Sequence, residues 1–415
     1  HAIYAMLCIP NHITMLGLSR WTEKGGSYRT IQRLYQTPIN WFLVHWVVLQ
    51  THLLRPDGVY LLAGDEVVVG KVGKKTHGVG RFYSGLAQRV IPGVSFLALS
   101  LIDVQDRRSY PLHIQQLLPS PKPEQTPKAA VKRGRGRPKG SKNYVKPTPV
   151  LSPILCLLQG MFSTVLAQIA DLRVKHVVLD GHFGNYPAIW TVRQAGLHII
   201  SKMRHDAALY RPYSGDKPSR GPTPRYGEKI NYSQLPSDCL VSSRIDDAYR
   251  TDIYQIQAYH KDYPDLLNVV IFVKTHLVTA KRGHSVLFST DLDLSADQLV
   301  DFYRLRFQIE FNFRDAKQYW GLDDFMNISE TAVTNAVNLA FLMVNLSQLI
   351  LKPYRDHDPN FSVLDLKAQY RAQRYLSETI KMLPETPEPD LVLRIWQRLS
   401  RFGGIRTRSI HHFAA

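Results

Sequence analysis

Apolar residues run from Val59 through Tyr60, Leu61, Leu62, Ala63 and Gly64, meet Asp65 and Glu66, and resume at Val67-Val68-Val69. A run this short predicts a buried strand rather than a helix. Gly93 to Val104 and Arg108 to Leu117 predict the next two strands of a meander. Ser152 to Arg173 carries Ile154, Leu157, Leu158, Met161 and Val165 on one side and predicts a helix. His176 to Leu179 predicts a strand, Pro187 to Ala195 a helix stopped by Gly196, and Leu197 to Met203 a further strand. Tyr254 to Ala258 alternates cleanly, and Val269 to Val273 and Ser285 to Ser289 are continuous β runs. Ser295, with Gln298 three residues on, predicts a capping box that opens one helix running through Lys317. Thr331 to Leu351 holds no charged side chain over 21 residues, the length of a membrane span. Asn335, Asn338, Asn345, Ser347 and Gln348 recur through it, which suits a buried helix packed on the core. Near the start, Ile13 to Leu18 and Ser27 to Tyr35 flank Trp21 to Gly26. That pattern fits either a helix-turn-helix DNA-binding domain or ordinary helical packing.

On the helix expected after Ser295, Tyr303, Arg306, Glu310, Arg314 and Lys317 fall within about 80° of one another. One face then presents a single carboxylate among cations and a phenol. The alternative is an amphipathic helix with i,i+4 ion pairs. The arrangement suits a metal ion beside phosphates, because the carboxylate takes the metal and the cations take phosphate charge. Two acids stand in apolar strands. Asp65 interrupts the first, and an acid there must be paired or coordinate something. Asp180 closes His176 to Leu179, the usual site position at the carboxyl end of a buried strand. Each Asp read alone is equally a turn or cap acid. Glu66 rivals Asp65, and since adjacent strand residues face opposite ways, only one of them points into a shared site.

The spacing Tyr303, two residues, Arg306, three residues, Glu310, six residues, Lys317 resembles the signature of insertion-sequence transposases of the IS4 superfamily, in an IS701-like form. The order Asp65, Asp180, Glu310 is similar to the triad of DDE transposases. The resemblance covers roughly residues 55 to 350. It implies an α/β fold: a ribonuclease-H-like catalytic core, a mixed sheet flanked by helices, with a β-rich insertion and a helical N-terminal domain. It implies that Asp65, Asp180 and Glu310 are catalytic and hold metal, while Tyr303, Arg306 and Lys317 bind phosphates of the transposon end. The expected division is 1–54 helical and N-terminal, 55–117 the first part of the core, 118–150 a basic linker, 151–205 the second part of the core, 206–290 the β-rich insertion, 291–352 the Glu helix and a closing helix, and 353–415 a helical C-terminal region.

Lys and Arg exceed Asp and Glu by 18 in 415 residues. A chain this basic meets nucleic acid or an anionic membrane. Residues 118 to 149 carry nine basic residues and one acid, Glu124, with almost no apolar content, and cannot bury enough surface to fold alone. Within them Lys132 to Gly140, with Arg133, Arg135, Arg137 and Lys139, resembles an AT-hook. A plain phosphate-binding tether is the other reading. Lys71, Lys74, Lys75 and Arg81 alternate with glycines after the Asp65 strand. They form either a DNA-contacting loop or a hairpin turn with solvated lysines. Arg314 completes the candidate DNA-binding set.

Cys8, Cys156 and Cys239 are far apart, offering neither a disulfide framework nor a zinc spacing. A reducing bacterial cytoplasm, with nucleoid association, is expected. No signal peptide is evident, and a chain opening at His1 rather than Met is expected to be a fragment or an internal translation. Three carboxylates suit Mg²⁺, with Mn²⁺ able to substitute, in a two-ion arrangement that Asp65 bridges. The expected function is cut-and-paste DNA transposition, with double-stranded transposon ends and target as partners, a homodimer in the synaptic complex, and no membrane. A silent transposase-derived DNA-binding protein and a structure-specific nuclease are the alternatives.

Overall fold

The structure, a computed structural model, describes residues 1–22, 26–85, 87–119 and 148–402. The AT-hook-like segment, with Arg133, Arg135, Arg137 and Lys139, lies outside them. In chain order the described elements begin with α1 (Ala2–Cys8), α2 (Met15–Trp21), α3 (Tyr28–Gln36) and α4 (Trp41–Val48). The strands β1 (Tyr60–Gly70), β2 (Gly80–Ser84), β3 (Arg89–Asp103) and β4 (Arg108–Leu117) follow. Next come α5 (Pro153–Gln168), β5 (His176–Leu179), α6 (Tyr186–Gln194) and β6 (His198–Met203). Six strands then run in series: β7 (Leu209–Pro212), β8 (Tyr226–Lys229), β9 (Leu240–Asp246), β10 (Tyr249–His260), β11 (Leu266–His276) and β12 (Arg282–Ser289). The last helices are α7 (Ala296–Leu305), α8 (Gln308–Trp320), α9 (Glu330–His357), α10 (Val363–Lys381) and α11 (Pro389–Leu399). The chain is mixed α/β and divides into two units, His1–Gln116 with Phe307–Ala415, and Leu117–Arg306.

In the first unit β1 pairs antiparallel with β3, Tyr60 opposite Asp103 and Gly70 opposite Gly93. β4 also pairs with β3. The expected meander gains a strand: β3 starts at Arg89 and folds back on β2, with Gly80 opposite Gly93 and Ser84 opposite Arg89. β2 is five residues long with no apolar run, so hydrophobic patterning does not reveal it. β1 and β2 both meet β3 at Gly93, where a Cβ would strike the Val69 carbonyl.

The residues expected as an N-terminal domain pack within this same unit. α2, α3 and α4 are capped by the side chains of Thr14, Ser27 and Asn40. α1 lies on α10, and α3 and α4 lie on α9. Asn335 of α9 fastens them. Its Nδ2 donates to the carbonyls of Leu34, Tyr35 and Thr37 at 3.2, 2.7 and 2.9 Å, and its Oδ1 accepts from Trp41 Nε1 at 2.7 Å. α9 is long and apolar enough to cross a membrane, yet 72% of its most apolar stretch is buried inside the protein. Its asparagines are used there. Asn345 Nδ2 donates to Pro111 O at 2.8 Å and to His45 Nδ1 at 3.2 Å, which joins α9 to β4 and α4.

In the second unit β5 and β6 are parallel, and β6 pairs antiparallel with β12, Met203 opposite Val286. The β-rich segment therefore extends the sheet of β6 through β12, β11 and β10. α7 begins at the capping box of Ser295 and Gln298, as expected from sequence. Buried Asn268 and half-buried Gln255 hold its start, donating to Leu294 O at 2.7 and 2.8 Å.

Candidate active site

Tyr303, Arg306, Glu310, Arg314 and Lys317 do not share one helix. α7 ends at Leu305, and α8 starts at Gln308. Arg306 N bonds Tyr303 O and Glu310 N bonds Phe307 O, so two i→i+3 bonds replace the regular ladder at the junction. Neither Pro nor Gly stands there, which is why periodicity reads straight through. Tyr303 and Arg306 belong to the second unit, and Glu310, Arg314 and Lys317 to the first.

Within the first unit, register decides which acid faces α8. Asp65 lies opposite Ala98, two residues along from Ala63 opposite Ser100, so Asp65 and Ser100 share a face. Asn312 of α8 packs on that face, donating to Ser100 Oγ at 3.3 Å and to Ser109 Oγ at 2.8 Å. Glu66 points the other way, where Ser95 Oγ donates to its Oε1 at 2.5 Å. Asp65 Oδ1 accepts from the Glu66 amide at 2.8 Å.

Glu310 and Lys317 are seven residues apart and so lie on one stripe of α8, about 10 Å apart along its axis. Lys317 Nζ donates to Val68 O at 2.8 Å and stands 3.9 Å from Asp323. Val68 is three residues beyond Asp65, again about 10 Å. Asn312 reaches Ser100, which lies opposite Ala63, and Lys317 reaches Val68, so α8 is held against both β3 and β1.

Lys71 is docked as well. Its Nζ donates to Phe325 O at 2.7 Å and to Asp323 O at 3.2 Å, and sits 3.6 Å from the Phe325 ring centre. Burial pushes its ammonium down to about 8, against the pull of Asp323 and Asp324. This ammonium thus holds the turn after α8 instead of standing in solvent as a DNA contact. Lys74 and Lys75 are exposed in the β1–β2 connection, and Arg81 is on β2 itself.

In the second unit Asp180 follows β5 and caps a short 3-10 turn, its Oδ1 accepting from His182 N at 3.0 Å. Ser201 Oγ of β6 donates to Asp180 O at 2.7 Å. The turn returns through Gly184, where a Cβ would strike the Lys202 carbonyl, so the loop lies directly on β6. Carboxylates are the hard oxygen donors that Mg²⁺ takes. Among the described residues, however, no group of three or more His, Cys, Asp or Glu stands together as a ligand set. Ser95 and Asn312 are not singled out by sequence, since a strand serine and a helix asparagine gain meaning only through register.

A family model described as DDE superfamily endonuclease matches residues 1–260, a span that holds Asp65 and Asp180 and ends before α8. The chain is also similar to a cryo-EM structure of a piggyBac transposase synaptic complex with hairpin DNA. Identity is 13%, the TM-score 0.40, and the match covers 96% of this chain and 75% of that one. Likeness this loose fixes neither fold nor function. Among curated proteins none matches the chain.

Proposed function

This chain belongs to the DDE superfamily endonucleases, and from that membership we propose that it is the transposase of an insertion sequence, cutting and rejoining DNA at the element's ends. The family match over residues 1–260 carries the proposal. The spacing of Tyr303, Arg306, Glu310 and Lys317 supports the IS4 assignment and the ribonuclease-H-like core. Asp65, Asp180 and Glu310 are the acids on which cleavage depends. Support comes from Asp65 facing α8, where Glu310 lies, and from Asp180 closing a buried strand. Tyr303, Arg306, Arg314, Lys74 and Lys75 are proposed DNA contacts, with double-stranded terminal repeats and target as partners and a dimer as the working form. DDE endonucleases typically use divalent metals, and Mg²⁺ is the ion proposed, with Mn²⁺ able to replace it. The proposed place of action is the bacterial cytoplasm, at the nucleoid.

A cleavage assay on duplexes carrying the inverted repeats that flank the gene tests this. Asp65→Asn, Asp180→Asn and Glu310→Gln should each cut the rate by more than the roughly 10–100-fold that losing an outer partner of a metal ligand costs. DNA affinity should stay near wild type, because distributed cations supply most of it. Glu66→Gln is the control and should cleave normally. Chelation should abolish cleavage, and added Mg²⁺ should restore it. Full cleavage by any of the three acid variants, or loss of binding in parallel, removes that residue from the proposal. The family description names an endonuclease, so cutting without joining is the second reading. A strand-transfer assay separates the two.

A further inference from the structure

Beside α8, the first unit contains a cavity of about 190 Å³. A single water needs only roughly 10–15 Å³ measured this way, so there is room for a polyatomic ion. Arg108 of β4, Arg314 of α8 and Arg355 of α9 line it, with Asp315 and Gln308 between them. The lone acid of that group is already engaged: Arg314 Nε and Nη2 bond Asp315 Oδ1 at 2.9 and 2.8 Å. Arg355 Nε donates to Phe361 O at 3.0 Å, a neutral partner. Among the described residues no carboxylate forms an ion pair with Arg108 or Arg355. Burial first, and then the like charge of Arg108, hold the Arg355 guanidinium below its usual range.

Three guanidiniums against one carboxylate leave two positive charges facing each other in a half-buried recess. Such a set is stabilised when an anion enters, and the guanidinium fork matches phosphate oxygens in pairs. We infer that the cavity seats one phosphodiester of bound DNA, held chiefly by Arg108 and Arg355. This rests on the transposase proposal for the identity of the ligand, and on the cavity alone for its charge.

Fluorescence anisotropy of the full chain on a terminal-repeat duplex, from about 50 to about 200 mM salt, tests it. Arg108→Gln should reduce the slope of log K against log salt by about 0.9, the value of one lost phosphate contact. Arg108→Lys keeps the charge and should keep most of the slope, with weaker affinity. Arg108→Gln should melt no lower than wild type, since it relieves repulsion with Arg355. A wild-type slope in folded Arg108→Gln overturns the inference. If the wild-type chain binds no duplex at all, the transposase proposal fails separately. Inorganic phosphate titrated by calorimetry then decides the cavity: uptake that Arg108→Gln lacks retains an anion seat, and no uptake by wild type overturns it.

Discussion

At the scale of single residues, the two lysines beside β1 show how far a side chain's role depends on its neighbour. Lys317 belongs to a spacing that reads as phosphate binding, but its ammonium is bonded to Val68 O, which ties α8 to the strand that bears Asp65. Hydrogen bonds made by charged groups contribute about 1.5–3 kcal/mol. Lys317→Ala should therefore lower unfolding free energy by about that amount in urea denaturation, and an unchanged midpoint would refute the tie. Turnover per folded molecule, measured on the same sample, reports whether Lys317 also serves the chemistry. Asp65 and Glu66 differ in a comparable way. Sequence narrows the first acid to these two and shows that only one can face a shared site. Assigning the faces takes Ser95 and Ser100, brought opposite β1 by a pairing more than 25 residues away in sequence.

Among the elements, legibility follows the range of the interaction that makes each one. The capping box of α7, the buried helix α9 and the strands β1, β5 and β6 are written in local pattern, and they stand where patterning puts them. The junction at Arg306 and Phe307 is invisible because no local residue demands it. The union of β12 with β6 is equally hidden, since patterning says that a strand exists but not which strand it joins. The same limit applies to residues 1–54, where the pattern marks the segments of α2 and α3 but neither α1 and α4 nor the attachment of any of them. That attachment hangs on Asn335, which accepts one hydrogen bond and donates to three carbonyls. Asn335→Leu leaves these groups without partners, at about 1–3 kcal/mol for each buried group fully orphaned. We expect a loss of roughly 2–4 kcal/mol in stability and early proteolytic cuts between α3 and α4. Resistance equal to wild type would show that the N-terminal helices are held by their apolar contacts instead.

For the molecule as a whole, the response to acid follows from two buried histidines of the first unit. His45 is fully buried, its Nδ1 3.2 Å from Asn345 Nδ2, so a charge on it would be cut off from water. Burial, then the neighbouring His113, push it down to about 3, and burial pushes His113 down to about 4. The unfolded chain takes up both protons near 6.5, well before the folded one. Stability is therefore complete above about pH 6.5 and falls as pH drops towards 4, by about 1.4 kcal/mol per pH unit for each group. His113→Gln should remove one such slope between about pH 6 and 4.5, read from urea midpoints against wild type. Identical slopes would contradict the burial argument. The division into units also has a consequence in time. The first unit is split in sequence, with β1 to β4 made by residue 117 and α8 to α11 only after residue 306. At about 5–20 residues per second, a ribosome spends roughly 10–40 s making the intervening stretch. Through that interval the apolar strands of the first unit wait without the helices that cover them, while the second unit is complete first and can fold as it emerges.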